Sequence, residues 1–271
     1  MMKAPIAKIG EIQRIDIEDS SAPVFYDDIG RFCKVVKPQS VHNRGDKSPY
    51  RMANLFGGNW QDYNNHYIVQ AAGCPLDCPY CYVDNFKADY HMSADELVER
   101  FVDFKERAED KLGIYLKVYH FMGGAPALYC DFWPELRESL DRHGLEETIL
   151  FSDTILLENH FAGVKPWEHM GLHHFILTGD LKGTNPENFK KNTGGFDLFG
   201  QSLEELKHYL PHENFYLTLI GFEEKDLPEI YKIVPKDRID FLSIINYEVT
   251  KRKMATGSTS QSPRKRQHNI K

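Results

Sequence analysis

The stretch YIVQAAGCPLDCPYC, residues 67–81, decides the reading of this chain: an apolar run breaks into a turn-rich loop carrying three cysteines, Cys74, Cys78 and Cys81. The run YIVQAA has the length and composition of a buried strand, and Gly73, Pro75, Asp77 and Pro79 mark residues 73–81 as loop. Three of the chain's five cysteines stand within eight positions. A loop of this kind is a poor place for inert core thiols, so the spacing calls for something that binds them. Thiolates suit iron, and one short loop can hold three irons of a cubane while leaving the fourth without a protein ligand. Zinc is the alternative, with His66 or His91 completing the set, although structural zinc sites usually draw on two separated pairs and no second pair exists here.

Downstream the pattern alternates between strand and helix. SADELVERFVDFKERAEDKLG (93–113) opens on a Ser93/Glu96 capping box and ends at Gly113, which predicts a helix. Residues 114–121 read as a strand, 132–143 as a helix, 148–152 as a strand and 155–161 as a short helical piece. Residues 174–178 read as a fourth strand that ends in the loop GDLKGTNPENFKKNTGG, after which Ser202 and Glu205 box the start of the helix SLEELKHYL. Strands over 215–220 and 239–245, with a helix over 227–234 between them, complete six strands. Strands separated by helices imply parallel pairing. The expectation is an α/β fold, a partial (β/α)6 TIM-like barrel over residues 60–248, with an N-terminal extension over 1–59 and a disordered basic tail over 249–271.

Composition fits such a core: 41% hydrophobic and 27% charged residues exclude a wholly disordered chain. The net charge of −7 is uneven, because the tail holds seven Lys or Arg and no acidic residue, leaving −14 on the rest. A basic tail admits RNA through phosphate attraction, but it has no aromatic residues for stacking on bases. The chain shows no apolar run long enough for a membrane span and no signal core, and its cysteines are not an evenly spread disulfide framework. The expectation is a cytoplasmic protein without a membrane partner.

The loop C-x-x-x-C-x-x-C, with Tyr80 directly before its last cysteine, resembles the cluster loop of the radical S-adenosylmethionine superfamily. That resemblance implies a [4Fe–4S] cluster held by Cys74, Cys78 and Cys81, with S-adenosylmethionine completing the open iron. It also implies reductive cleavage to a 5′-deoxyadenosyl radical that abstracts a hydrogen atom, with the electron supplied by a donor such as flavodoxin or ferredoxin. In the superfamily a Gly-Gly-Glu-Pro-like loop meets the methionyl amino group. MGGAPA (122–127) holds that place with Gly123 and Gly124, but Ala125 replaces the acidic residue. SDT (152–154) and GDLK (179–182) are similar to segments of glycyl-radical-enzyme activases such as pyruvate formate-lyase-activating enzyme. Carried over, Asp153 would bind ribose hydroxyls, Asp180 and Lys182 would shape the polar end of the site, and Tyr80 would pack beside the adenine. The subgroup implies a protein or peptide substrate; RNA, a small molecule, or a non-catalytic iron–sulfur or zinc module are the alternatives. Cys33 and Cys130 read as structural, Tyr82 and Phe86 as loop support, and His173 and His174 as residues of the non-catalytic end.

Overall fold

A computed structural model describes residues 2–8, 27–34, 47–81 and 88–242. Its strands are β1 (Ala4–Ile6), β2 (Gly30–Lys34), β3 (Asn65–Gln70), β4 (Tyr90–Met92), β5 (Val118–Met122), β6 (Ile149–Thr154), β7 (Phe175–Leu181), β8 (Phe215–Ile220) and β9 (Ile239–Leu242). Its helices are α1 (Ser48–Phe56), α2 (Ala94–Leu112), α3 (Phe132–Arg142), α4 (Glu158–Ala162), α5 (Pro186–Asn192), α6 (Phe199–Tyr209) and α7 (Leu227–Tyr231).

Six strands, β3, β5, β6, β7, β8 and β9, pair in parallel in chain order, as the strand and helix alternation predicts. β2 adds an antiparallel edge beside β3, and β1 pairs with β4 in a separate two-stranded sheet. Among the described residues β2 and β9 are the two sheet edges and no pairing joins them. The anticipated disorder of the tail, and the roles anticipated for Tyr82 and Phe86, fall outside the described residues, as does the Cys33 side chain.

Because successive side chains on a strand point to opposite faces, each parallel strand has two buried sets. Tyr67, Val69, Tyr119, Phe121, Leu150, Leu177 and Leu217 face the helices, in one core with Leu97, Phe101, Trp133, Leu136 and Leu206. The other face carries Val118, Ile149, Phe151, Ile176 and Tyr216, covered by Met52 of α1 and by Tyr63. Thus α1 floors the lower half of this second face, where His66 is the buried polar neighbour of Val118, and further polar groups lie toward the strands' C-terminal ends. Ser93 and Glu96 cap α2 reciprocally, and Gly113 ends it in the left-handed region, both as predicted.

Three expectations are corrected. The second strand starts at Val118, not at residue 114. The loop over 179–195 contains β7 through Leu181 and then α5, whose first turn is capped by the Asn185 side chain. The predicted Ser202/Glu205 capping box does not form: α6 begins at Phe199, and Glu205 instead accepts the N–H groups of Asn159 and His160. Those amides belong to the first turn of α4, which needs acceptors that its own backbone cannot supply.

Candidate functional site

The cysteine loop leaves the C-terminal end of β3 and is tied down on both flanks. Ala125 donates its N–H to the Gly73 carbonyl at 2.7 Å, and Asp77 donates to the Thr193 carbonyl at 3.2 Å. Tyr129 adds a hydroxyl bond to the Ala72 carbonyl at 3.0 Å. Gly123 and Gly124 turn with φ of +75° and +51°. A Cβ on Gly124 would stand 2.6 Å from the Gly73 oxygen and 2.7 Å from the Ala71 oxygen, so only glycine lets these two backbones meet. The Ala125 methyl is fully buried in the apolar core, so the position that carries an acid in the resembling family offers no polar side chain here.

Cys74, Cys78 and Cys81 are partly buried. Burial raises the Cys74 thiol well above its ordinary pKa, reinforced by Cys78 and Cys81. Burial likewise raises Cys78 to about 12, against the opposing pull of the Lys182 ammonium. Burial therefore favours the neutral thiol at Cys74 and Cys78, and either would need a cationic partner to stand there as a thiolate. Tyr80 has its hydroxyl buried beside Cys78, Lys182 and Asp180. Cys81 marks the end of the described part of the loop.

Two further groups reach the same end of the sheet from β6 and β7. Lys182 Nζ lies 2.7 Å from Asp180 Oδ2, with only 10% and 22% of the two side chains exposed. Burial opposes charge on Lys182, but Asp180, Tyr80 and Cys78 together outweigh it, and the pKa stands well above its usual value. Asp180 is raised by burial, against the pull of Lys182. Asp153, near the end of β6, is raised to about 7 by burial, opposed by Lys182. His120 Nε2 donates to Asp153 Oδ1 at 3.1 Å. The sheet therefore brings Cys74, Cys78, Cys81, Tyr80, Asp153, Asp180 and Lys182 to one end, where ligands collect in α/β sheets.

His120 belongs to no motif in the sequence. Its signal is position alone: it lies two residues before Met122, on the same strand face, at the mouth of the Gly-Gly turn. His174, with φ of +45°, sits just before β7 at the opposite end and packs against Phe56, away from the cysteines.

The donor set fits a cubane better than a single ion. Zn–S bonds of about 2.3 Å place tetrahedral sulfurs about 3.8 Å apart. Among the described residues, the only three metal-ligating atoms gathered within 4.8 Å of one another belong to Cys130, Asp131 and His169, not to the cysteine loop. In that trio the Asp131 carboxylate accepts from His169 Nε2 at 3.2 Å, and burial holds the Cys130 thiol neutral, with its pKa raised to about 12. It reads as a histidine–carboxylate hydrogen bond beside a buried thiol, in keeping with a structural Cys130. Among the described residues no helix is long and apolar enough to cross a membrane.

Comparison with known proteins adds three findings. Residues 68–234 match the model of the Radical SAM superfamily. Among solved structures, that of Streptococcus suis SuiB bound to S-adenosylmethionine is 14% identical with a TM-score of 0.48, covering 70% of this chain and 46% of that one. A second structure of Streptococcus suis SuiB is 13% identical with a TM-score of 0.47, covering 81% and 54%. The chain thus spans about half the length of these solved proteins. No curated protein matches. Since the matched model spans more than half of the sequence, the chain belongs to the radical SAM superfamily, whose cofactors are a [4Fe–4S] cluster and S-adenosylmethionine.

Proposed function

We propose that this chain is a radical SAM enzyme of the activase type, acting on a protein or peptide. The observation that carries the reading is the meeting of the three-cysteine loop with Asp153, Asp180 and Lys182 at one end of the parallel sheet. Cys74, Cys78 and Cys81 would hold the cluster, which when bound would supply one-electron reduction of the sulfonium. The chain's own residues bind and orient. Asp153 accepts the vicinal ribose hydroxyls, and Lys182 presents its charge to the methionyl carboxylate while Asp180 fixes the ammonium in place. Tyr80 flanks the adenine. At the Gly123–Ala125 turn, backbone carbonyls receive the methionyl ammonium, since Ala125 has no carboxylate to offer.

The β2 and β9 edges, which no pairing joins among the described residues, support a large substrate, which enters from the side rather than through a closed barrel. The electron comes from a flavodoxin or ferredoxin.

The test is anaerobic reconstitution followed by reduction in the presence of S-adenosylmethionine. About four irons and four sulfides per chain, together with 5′-deoxyadenosine, are expected for the cubane. Tetrahedral zinc in the loop, or bound iron without any 5′-deoxyadenosine, would refute the enzyme reading. Repeating the assay with peptides, RNA and metabolites tests the substrate class, through substrate-dependent 5′-deoxyadenosine and hydrogen transfer from the labelled substrate.

A further inference from the structure

The face of the sheet that meets the site carries a column of imidazoles beneath Asp153. His66 is fully buried on β3, and its Nε2 donates to the Tyr63 carbonyl at 3.0 Å. Burial, with His120 nearby, holds its pKa well below the usual value, so His66 is neutral. His120 stands 5.5 Å from it, edge to face, and lies flat on Phe151 with ring centroids 3.9 Å apart and an interplanar angle of 17°. Phe151 is itself locked in the apolar floor with Met52 and Tyr216. The imidazole is therefore held in one plane by packing, and the atom it directs at the site is Nε2, 3.1 Å from Asp153 Oδ1.

The carboxylate has a problem that this arrangement solves. Asp153 is largely buried, so desolvation favours its protonated form, and its charge in turn raises Asp180, a second acid at this end. Other charged or titratable groups near this end are Lys182 and Asp180 from β7, His66 and His120 from β3 and β5, and Tyr80 and Cys78 from the loop. Lys182 is hydrogen-bonded to Asp180 at 2.7 Å and pulls on Asp153 through space only. The direct donor to Asp153 is His120.

We propose that His120 is a positioning residue: it fixes the Asp153 carboxylate in its ionised, acceptor-only form and aims the second oxygen at a ligand's vicinal diol. This rests on the reading of Asp153 as the ribose contact, and assigns to the same site a residue that the motif resemblance does not. An ionised carboxylate accepts hydroxyl hydrogens about twice as strongly as a neutral acid. Without the imidazole, Asp153 binds a proton more readily, and affinity for a diol falls near neutral pH and returns as pH rises.

The experiment is calorimetric titration of the anaerobically reconstituted protein with S-adenosylhomocysteine, which keeps the ribose and is not cleaved, from pH 6.5 to pH 9. Variants are His120→Phe, which keeps the stack on Phe151, His120→Gln, which keeps a donor, and Asp153→Ala; iron content is measured for each. Expected are an affinity about tenfold weaker in His120→Phe at pH 7, the worth of one charged hydrogen bond, recovery toward pH 9, and near wild-type binding in His120→Gln. Asp153→Ala weakens binding at every pH. If His120→Phe binds like wild type, or weakly at every pH with no rescue by Gln, the assignment of His120 is overturned while a weakened Asp153→Ala keeps the ribose reading. If Asp153→Ala binds normally, the ribose reading itself fails, and the role of His120 with it. Should the Phe variant lose its iron, the Gln variant decides alone: retained affinity supports the assignment and lost affinity overturns it.

Discussion

Ala125 and Gly73 are joined by a 2.7 Å hydrogen bond, from the N–H just after the Gly-Gly turn to the carbonyl that opens the cysteine loop. Two loops from neighbouring strands, β3 and β5, are thereby locked backbone to backbone. The bond sets where Cys74 begins relative to the sheet, while the Asp77 bond to Thr193 fixes the loop from the β7 side. A loop held at both flanks by main-chain bonds presents its thiols in one arrangement, which lowers the ordering cost of loading a cluster.

The first prediction concerns Gly124. Alanine there would put a Cβ within 2.7 Å of two carbonyl oxygens and also in a left-handed conformation, so the two loops must separate. Gly124→Ala is expected to lower both the melting temperature and the iron bound per chain after reconstitution. Gly113→Ala is the control: it shares the positive φ but meets no neighbouring atom, so it costs only about 1 kcal/mol of backbone strain and keeps full iron. Equal iron content in the two variants would show that the close approach does not shape the loop.

Cys78 and Cys130 should part company. Cys78→Ala removes a thiol at the loop and is expected to abolish reductive cleavage while leaving the circular dichroism spectrum intact. Cys130 is fully packed in the core beside the helices. Cys130→Ser buries a hydroxyl and should cost about 1–3 kcal/mol in urea unfolding, with iron content unchanged. Full cleavage activity in Cys78→Ala would remove it as a ligand.

The sequence made the alternation of strands and helices legible because each element carries a local period or cap, as with Ser93 and Glu96 at α2. The three cysteines, Asp153, Asp180 and Lys182 were legible because each directly follows or ends a strand, and parallel pairing sends all strand ends to one side. What escaped was set by distant partners. Glu205 sits in the middle of α6, and its carboxylate serves the amides of Asn159 and His160 in α4, so a local capping pattern misled. His120 is one apolar-strand residue among others until β6 brings Asp153 alongside it. Met52 and α1 carry no repeat signal, and become the floor of the sheet only in three dimensions.

Glu205 gives a pH-dependent stability. Burial raises its pKa to about 7, opposed by the His160 and Asn159 amides. The folded value lies above that of the unfolded chain, about 4.3, so the folded state holds the proton more tightly. This contribution is full below the unfolded value and is lost as pH rises through about 7. Glu205→Gln keeps an oxygen for the two amides and cannot ionise. Relative to wild type, the variant's melting temperature should therefore improve between pH 5 and pH 8.5. A constant difference across that range would show that Glu205 ionises as it does in the unfolded chain.

The last prediction tests what holds the floor of the site. Arg51 of α1 reaches Asp240 of β9 at 2.6 Å, with 14% and 3% of the side chains exposed, and its guanidinium also lies 4.8 Å from the Tyr216 ring centroid. Lys47 donates its backbone N–H to the other Asp240 oxygen at 3.1 Å. One carboxylate thus binds the start of α1 to the edge strand, and α1 in turn supplies Met52 to the cluster that holds Phe151, on which His120 stacks. Asp240→Ala leaves a buried guanidinium unpaired, and should cost about 3–5 kcal/mol in urea unfolding. Replacing the pair together, with Arg51→Met and Asp240→Leu, should recover much of that loss, because the desolvation cost of both charges disappears. In the single variant hydrogen exchange should rise first in α1 and β9, since their tie is cut while β5–β6 keep both neighbours. A loss below about 1 kcal/mol, the range of an exposed pair, with exchange unchanged in α1, would show that apolar packing alone seats the helix.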